Sequence, residues 1–118
     1  MKQARQPAGV GYGALLAATL WLGTVTPAAA QAAGDAAAGR EKAQACVVCH
    51  GPLGLSTAPD APNLAAQPAI YLAAQLRAYR SGARQHEVMS VMSKSLSDAD
   101  IDNLAAWYAS LQVEVKPL

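Results

Sequence analysis

Cys46-Val47-Val48-Cys49-His50-Gly51 is a C-x-x-C-H run, the pattern through which c-type haem is attached to a protein. Two thiols one helical turn apart can add to the two vinyl groups of one haem. The histidine directly after the second thiol then lies beneath the ring, with its imidazole in reach of the iron. The cysteine pair has three other ordinary readings. A thioredoxin-like redox pair needs a strand leading into a helix, and no strand pattern precedes Cys46. A structural zinc site needs four ligands at set spacing, which two cysteines and two histidines in this order do not provide. A plain disulfide would leave His50 without a purpose. Haem attachment is the reading that uses all three residues.

Upstream of the motif the chain is built differently. Lys2 and Arg5 give a short positive start, and a mostly apolar run follows from Val10 to Val25. Pro27 ends that run ahead of Ala28-Ala29-Ala30-Gln31-Ala32. Positive, apolar and small-residue segments in that order describe a secretory leader. Cleavage after Ala30 or after Ala32 fits, and the second is preferred. The glycine-broken run falls short of the ~20 apolar residues that a membrane span needs, so an uncleaved anchor ranks below a leader. Residues 1–32 are therefore read as signal peptide and 33–118 as one domain, exported to the periplasm and free of the membrane once cleaved.

A domain of this length is short for a self-sufficient core, and a bound cofactor is one way to make up the shortfall. The 53% hydrophobic content is inflated by the leader and by alanine, and phenylalanine is absent. Tyr71, Tyr79, Trp107 and Tyr108 are the only aromatic residues after the leader. A haem, as a large apolar plate, would be the centre of such a core. Within 33–118, seven basic residues face eight acidic ones. There is no basic run of the kind that nucleic-acid binding requires.

Residues 33–50 read as a first helix with Asp35 as its N-cap. Ala36, Gly39, Ala43 and Cys46 give it one smooth face, and Gly39 suits a close helix crossing. From Gly51 to Gln67, five prolines and glycines impose a loop that could run along one face of a haem. Leu72, Leu76 and Tyr79 mark a second helix over 69–81, stopped by Gly82. Residues 82–96 are polar and show no period, so they read as a second long loop. Ser97 caps a last helix whose stripe is Ile101, Leu104, Ala105, Tyr108 and Leu111. The fold class is all-α, with three main helices and two long loops.

His50 supplies one axial position of a haem iron, and His86, Met89 and Met92 are the candidates for the other. Two methionines three apart in a polar segment favour a thioether ligand, which raises the reduction potential relative to a second histidine. His86 reads more simply as a solvated loop residue. Arg77, Arg80 and Arg84 recur at helical spacing, as a docking patch or propionate partners on one reading. The solvated face of the second helix is the preferred reading for Arg77 and Arg80.

Taken in order, Cys46-x-x-Cys49-His50-Gly51, Pro62-Asn63-Leu64, Tyr71-Leu72-x-x-Gln75-Leu76, Gly82-x-Arg84, Met89-x-x-Met92 and Leu96-Ser97-Asp98-x-Asp100-Ile101 resemble the class I cytochromes c. The similarity spans nearly all of 33–118. It is nearest to small bacterial periplasmic monohaem forms and to single domains of the dihaem group called cytochrome c-four. The resemblance implies the class I cytochrome c fold, wrapped around one covalently bound haem c. It places the iron-ligating methionine at Met89, with Met92 left as packing near the haem edge and as the alternative sixth ligand. It gives the Pro62 carbonyl the task of accepting the His50 Nδ1 hydrogen bond, the kind of support that metal-bound histidines require. It also sets Gly39 against Trp107 where the first and last helices cross. Alanine at Ala43, where the family has a large aromatic, implies a looser crossing.

The function implied is one-electron transfer between redox protein partners, with no organic substrate and no catalysis by the chain itself. A second expectation is a haem subunit of a larger oxidoreductase acting on sulfur compounds. A third is a haem sensor or enzyme with an open sixth position.

Overall fold

Asp35 starts the first helix: its carboxylate accepts hydrogen bonds from the Ala37 and Ala38 amides at 2.8 and 3.3 Å. The structure, a computed structural model, describes residues 34–117, so the leader at 1–32 and its cleavage position lie outside the described residues. From Asp35 the chain runs as α1 (Ala36–Lys42), tightens into a 3-10 turn (Ala43–Cys46) and continues as α2 (Val47–His50). The expected single helix over this stretch is thus a helical path with a tighter middle. Then follow α3 (Ala69–Ser81), α4 (Glu87–Lys94) and α5 (Asp98–Ser110). The described residues are helical with no strand, and no helix among them is long and apolar enough to cross a membrane.

The two outermost helices carry the fold. α1 packs on α5, α3 packs on α5, and α4 packs on α3. At the α1–α5 crossing, Gly39 faces the backbone carbonyl of Asn103, and a Cβ there would also stand 2.9 Å from the Trp107 Cβ. The start of α1 is tied to the same place, since the Asp35 amide donates to Asn103 Oδ1 at 2.7 Å. Ala43 is 3% exposed and belongs to the core, so the small residue is used for contact and the crossing is not loose there. The core consists of Ala43, Leu72, Ala73, Ile101, Leu104, Ala105 and Tyr108. Three of these seven are alanine, which leaves little apolar volume for the chain to bury by itself.

Charged residues clamp α3 onto α5. Arg77 Nη2 meets Asp102 at 2.7 Å, Arg80 pairs with Asp98, and Arg80 Nη1 donates to the Leu96 carbonyl at 2.8 Å. Arg77 and Arg80 are therefore not the freely solvated face that their spacing suggests. Exposed pairs contribute at most about 1 kcal/mol each, so their main effect is on register. Arg84 turns back instead, donating to Gln75 Oε1 at 2.6 Å with its guanidinium 4.7 Å from the Tyr79 ring centre.

The second expected loop holds a helix, α4, which corrects the three-helix, two-loop outline while keeping the all-α class. Its residue 0% exposed to solvent is Ser93, whereas Val88, Val91 and Met92 lie exposed. Val88, Met89, Val91 and Met92 do recur at i, i+1, i+3 and i+4, a helical stripe confined to a helix of eight residues.

α5 opens with a reciprocal cap: Ser97 Oγ accepts from the Asp100 amide at 3.0 Å, and Asp100 Oδ2 accepts from the Ser97 amide at 2.9 Å. The Ser97 amide, the Lys42 ammonium 3.0 Å away and the Ser97 hydroxyl together hold the Asp100 carboxyl down at about 2. A carboxyl lowered from 3.8 in this way stabilises the folded state above about pH 4, and the contribution disappears as pH falls towards 2. Asp100→Ala should cost about 1 kcal/mol at neutral pH. The gap from wild type in urea titrations should narrow between pH 4 and pH 2.

Gly39→Ala separates two opposing effects. The alanine raises helix propensity by about 1 kcal/mol. Its methyl group, however, would press on the Asn103 carbonyl and part α1 from α5. A net loss of about 2 kcal/mol is expected, measured as a lower urea midpoint at unchanged slope.

Candidate haem-binding site

The attachment motif leaves the core at its first cysteine. Cys46 packs against the core cluster, while Cys49 is exposed, and neither is in a disulfide. Burial pushes the Cys46 thiol up, the Tyr108 hydroxyl partly offsets this, and the charge of Cys49 adds to it. His50 closes α2 and is 6% exposed. Its Nδ1 lies 2.8 Å from the Pro62 carbonyl oxygen. A carbonyl can only accept, so the proton is on Nδ1 and the lone pair is on Nε2, the nitrogen that is then able to bind a metal.

The loop from Gly51 to Gln67 holds Pro62 in place by bonds at both ends. Ser56 Oγ donates to the Cys49 carbonyl at 2.8 Å, and the Ser56 amide donates to Asn63 Oδ1 at 2.7 Å. The Gly54 carbonyl accepts from the Leu64 and Ala65 amides at 2.7 and 3.1 Å. Gly54 has φ +70° and lies flat on the Tyr108 ring, where a Cβ would come within 2.8 Å of Cδ1. Ala66 adopts φ 61°, a conformation rare for alanine, and its amide donates to the Tyr108 carbonyl at 2.9 Å. The loop thus meets the end of α5 at Tyr108, and its Leu64 packs against the core.

Tyr108 is 4% exposed, yet its hydroxyl has no hydrogen bond of good geometry among the described residues. Burial pushes its ionisation upward, and the neighbouring Cys46 adds to the shift. An orphaned buried hydroxyl beside Cys46 suits a chain whose thiol side is completed by a further group. Apolar side chains on the same segments agree with that: Leu53 and Leu55 in the loop, Tyr71 on α3 and Met92 on α4 are all exposed. Two unpaired thiols, a buried imidazole with a free lone pair and unburied apolar surface fit a covalently held haem.

The two methionines both lie on α4, Met89 half-buried and Met92 40% exposed. His86 is the N-cap of that helix, with Nδ1 accepting from the Val88 and Met89 amides, each at 3.3 Å. Amides can only donate, so this Nδ1 carries the lone pair and the proton is on Nε2. The two histidines are therefore in opposite tautomers, and His86 has its lone pair engaged in the helix cap.

The sequence reading passed over Ser56, Asn63 and Tyr108 as parts of the site and His86 as a cap. Asn63 was within reach, because it stands inside the Pro62-Asn63-Leu64 motif. His86 carried no signal, since histidine is not among the favoured N-cap residues.

The family model for cytochrome c matches residues 36–112. Cytochrome c-554(548) of Halomonas halodenitrificans is 48% identical over 81 residues, which are 66% of this chain and 98% of that protein. A protein of Thiomonas intermedia called a thiosulfate dehydrogenase electron acceptor is 44% identical over 82 residues, 69% of this chain and 38% of its own. The crystal structure of reduced cytochrome c4 from Pseudomonas stutzeri superposes with a TM-score of 0.66 at 38% identity, covering 70% of this chain and 48% of that one. The chain thus spans nearly all of one relative and less than half of the other two. A family model running from α1 to just past α5, and a relative of nearly matching extent, give the same assignment. The chain belongs to the cytochrome c family, and covalently bound haem c comes with that membership.

Proposed function

We propose that this chain is a periplasmic monohaem electron carrier. One haem c would be held through Cys46 and Cys49, with His50 and Met89 supplying the iron ligands and Met92 as the alternative to Met89. The observation that carries this reading is the His50–Pro62 hydrogen bond of 2.8 Å directly after two unpaired thiols. It fixes a buried imidazole with Nε2 free, which is how a metal-bound histidine is prepared. Haem c, when bound, supplies a ferric–ferrous couple that takes up and releases one electron at a time. The chain's own residues hold and tune it. Pro62 keeps the His50 ring in one orientation, the two thioethers anchor the plate, and the Met89 thioether raises the potential relative to a second imidazole. Burial of the apolar plate completes the alanine-rich core. The leader at 1–32 would be removed on export, leaving 33–118 as the working domain.

The chain is an electron-transfer protein and not itself a catalyst. Redox proteins are its partners, and their identity follows from the assembly in which it works. The likeness to a thiosulfate dehydrogenase electron acceptor favours a second reading, in which the chain serves as the haem subunit of an oxidoreductase of sulfur compounds. Size-exclusion chromatography of the native periplasmic extract separates the two. A haem peak at the mass of the single chain supports the free carrier. Coelution with a larger partner at fixed stoichiometry supports the subunit.

The ligand assignment has its own test in ferric absorbance spectra. Met89→Ala should abolish the far-red charge-transfer band of methionine-bound iron and lower the reduction potential. Met92→Ala should keep the band and cost about 1 kcal/mol or less of stability, because that side chain is 40% exposed. The reverse pattern would assign the iron to Met92.

A further inference from the structure

We propose that His86 is a positioning residue for the Met89 ligand: its imidazole holds the Met89 amide and so sets the start of the helix that presents the thioether. The inference rests on the reading of Met89 as the sixth ligand and goes beyond it, because His86 itself does not bind the iron.

Four observations converge on His86. Its Nδ1 accepts from the Val88 and Met89 amides at 3.3 Å each, so the proposed ligand is itself one of the two capped residues. The His86 amide donates in return to Ser90 Oγ at 3.0 Å, which closes a reciprocal cap around the first turn. The backbone at His86 is extended, with φ −158° and ψ 137°, so the residue stands outside the helix and ends the preceding segment. Its ring lies edge-on to Tyr79, with centroids 6.4 Å apart and planes at 73°. Tyr79 is buried on α3 and lies under the Arg84 guanidinium at 4.7 Å. His86 therefore connects the first turn of α4 to the fixed surface of α3.

The physical consequence follows from the length of α4. A helix of eight residues has little stability of its own and depends on caps and packing. It packs on α3 and buries Ser93, while Val88 and Val91 at its start and middle are exposed, so its first turn relies on the cap. The cap then governs how often the first turn frays, and fraying at Val88 and Met89 withdraws the ligand from a defined place. Histidine performs this task only in the tautomer with the proton on Nε2, which also removes it from competition for the metal.

The experiment uses the ferric haem-loaded protein and free imidazole, which displaces a methionine ligand from iron. His86→Ala should tighten apparent imidazole binding about fivefold, the factor that corresponds to loss of one helix cap. It should also lower the reduction potential, with the far-red methionine band present but weaker. His86→Asn, which restores an oxygen acceptor at the cap, should return imidazole affinity to within about twofold of wild type. Ser90→Ala, which removes only the reciprocal half, should fall between the two. Denaturant midpoints taken in parallel separate fraying of α4 from general loss of stability, because a purely structural role moves the midpoint and leaves imidazole affinity and potential unchanged. Wild-type imidazole affinity in His86→Ala, or equal tightening in His86→Ala and His86→Asn, would overturn the proposal. Met89→Ala serves as the reference. If that variant keeps the band and the wild-type imidazole affinity, the ligand assignment fails and the role of His86 fails with it. If it loses the band while His86→Ala is unchanged, only the role of His86 is overturned.

Discussion

The backbone of α1 at Gly39 lies so near the Asn103 carbonyl of α5 that no side chain fits between them. That approach fixes more than two helices. Gly39, Ala43 and Cys46 follow one another along the same helical path, and each meets α5 or the core that α5 builds. The crossing thus delivers the first cysteine of the attachment motif to a set position beside Tyr108. Asn103 reinforces it by accepting from the Asp35 amide at the start of α1. Because α1 and α5 lie near the two ends of the domain, this contact also closes the chain on itself. Every segment between them, the loop and α4 alike, is then built on a frame already shut.

Within that frame the two histidines are assigned by their neighbours' chemistry. A proline carbonyl can only accept, so His50 keeps its Nδ1 proton and offers Nε2. Two helix amides can only donate, so His86 offers Nδ1 to them and keeps its proton on Nε2. A loop-borne acceptor leaves one ring with Nε2 free, as the proposed ligation needs, and a helix terminus engages the lone pair of the other. The loop that provides the acceptor is itself held at the Cys49 carbonyl and at Tyr108 and braced within by the Ser56–Asn63 bond, which together secure the His50 orientation. The unusual φ of Ala66 is a local cost accepted by the same attachment.

Most of this was legible where one residue type has one physical use. The Asp35 and Ser97 caps, the Gly82 stop and the stripe from Ile101 to Tyr108 are all readable from local rules, and the structure has each of them. So was the close pass of Gly39 by Trp107, through family resemblance. What escaped reading was set by tertiary partners. α4 escaped because its stripe of Val88, Met89, Val91 and Met92 is short and set among polar residues, and three of those four side chains face outward while Ser93 is buried. Arg77 and Arg80 looked like a solvated face because their aspartate partners lie some twenty residues away, on α5. Tyr108 read as one more apolar position in a stripe, although its ring, carbonyl and hydroxyl meet the loop and Cys46 at three separate points.

The two sides of the site differ in how firmly the chain holds them. The histidine side has a buried imidazole, a loop bonded at several points and the core beneath it. The methionine side has a short helix packed mainly on α3, with most of its apolar side chains exposed. Stability is not uniform across a fold, and segments with few buried contacts open first. In a small domain whose core contains so much alanine, the cofactor plate itself must supply the missing apolar contact for α4. On the proposed ligation, the histidine half rests on hydrogen bonds within the polypeptide, and the methionine half would draw apolar contact from the plate. Changes in ligation, and with them shifts in reduction potential, should therefore arise from the α4 side, while the attachment side stays fixed.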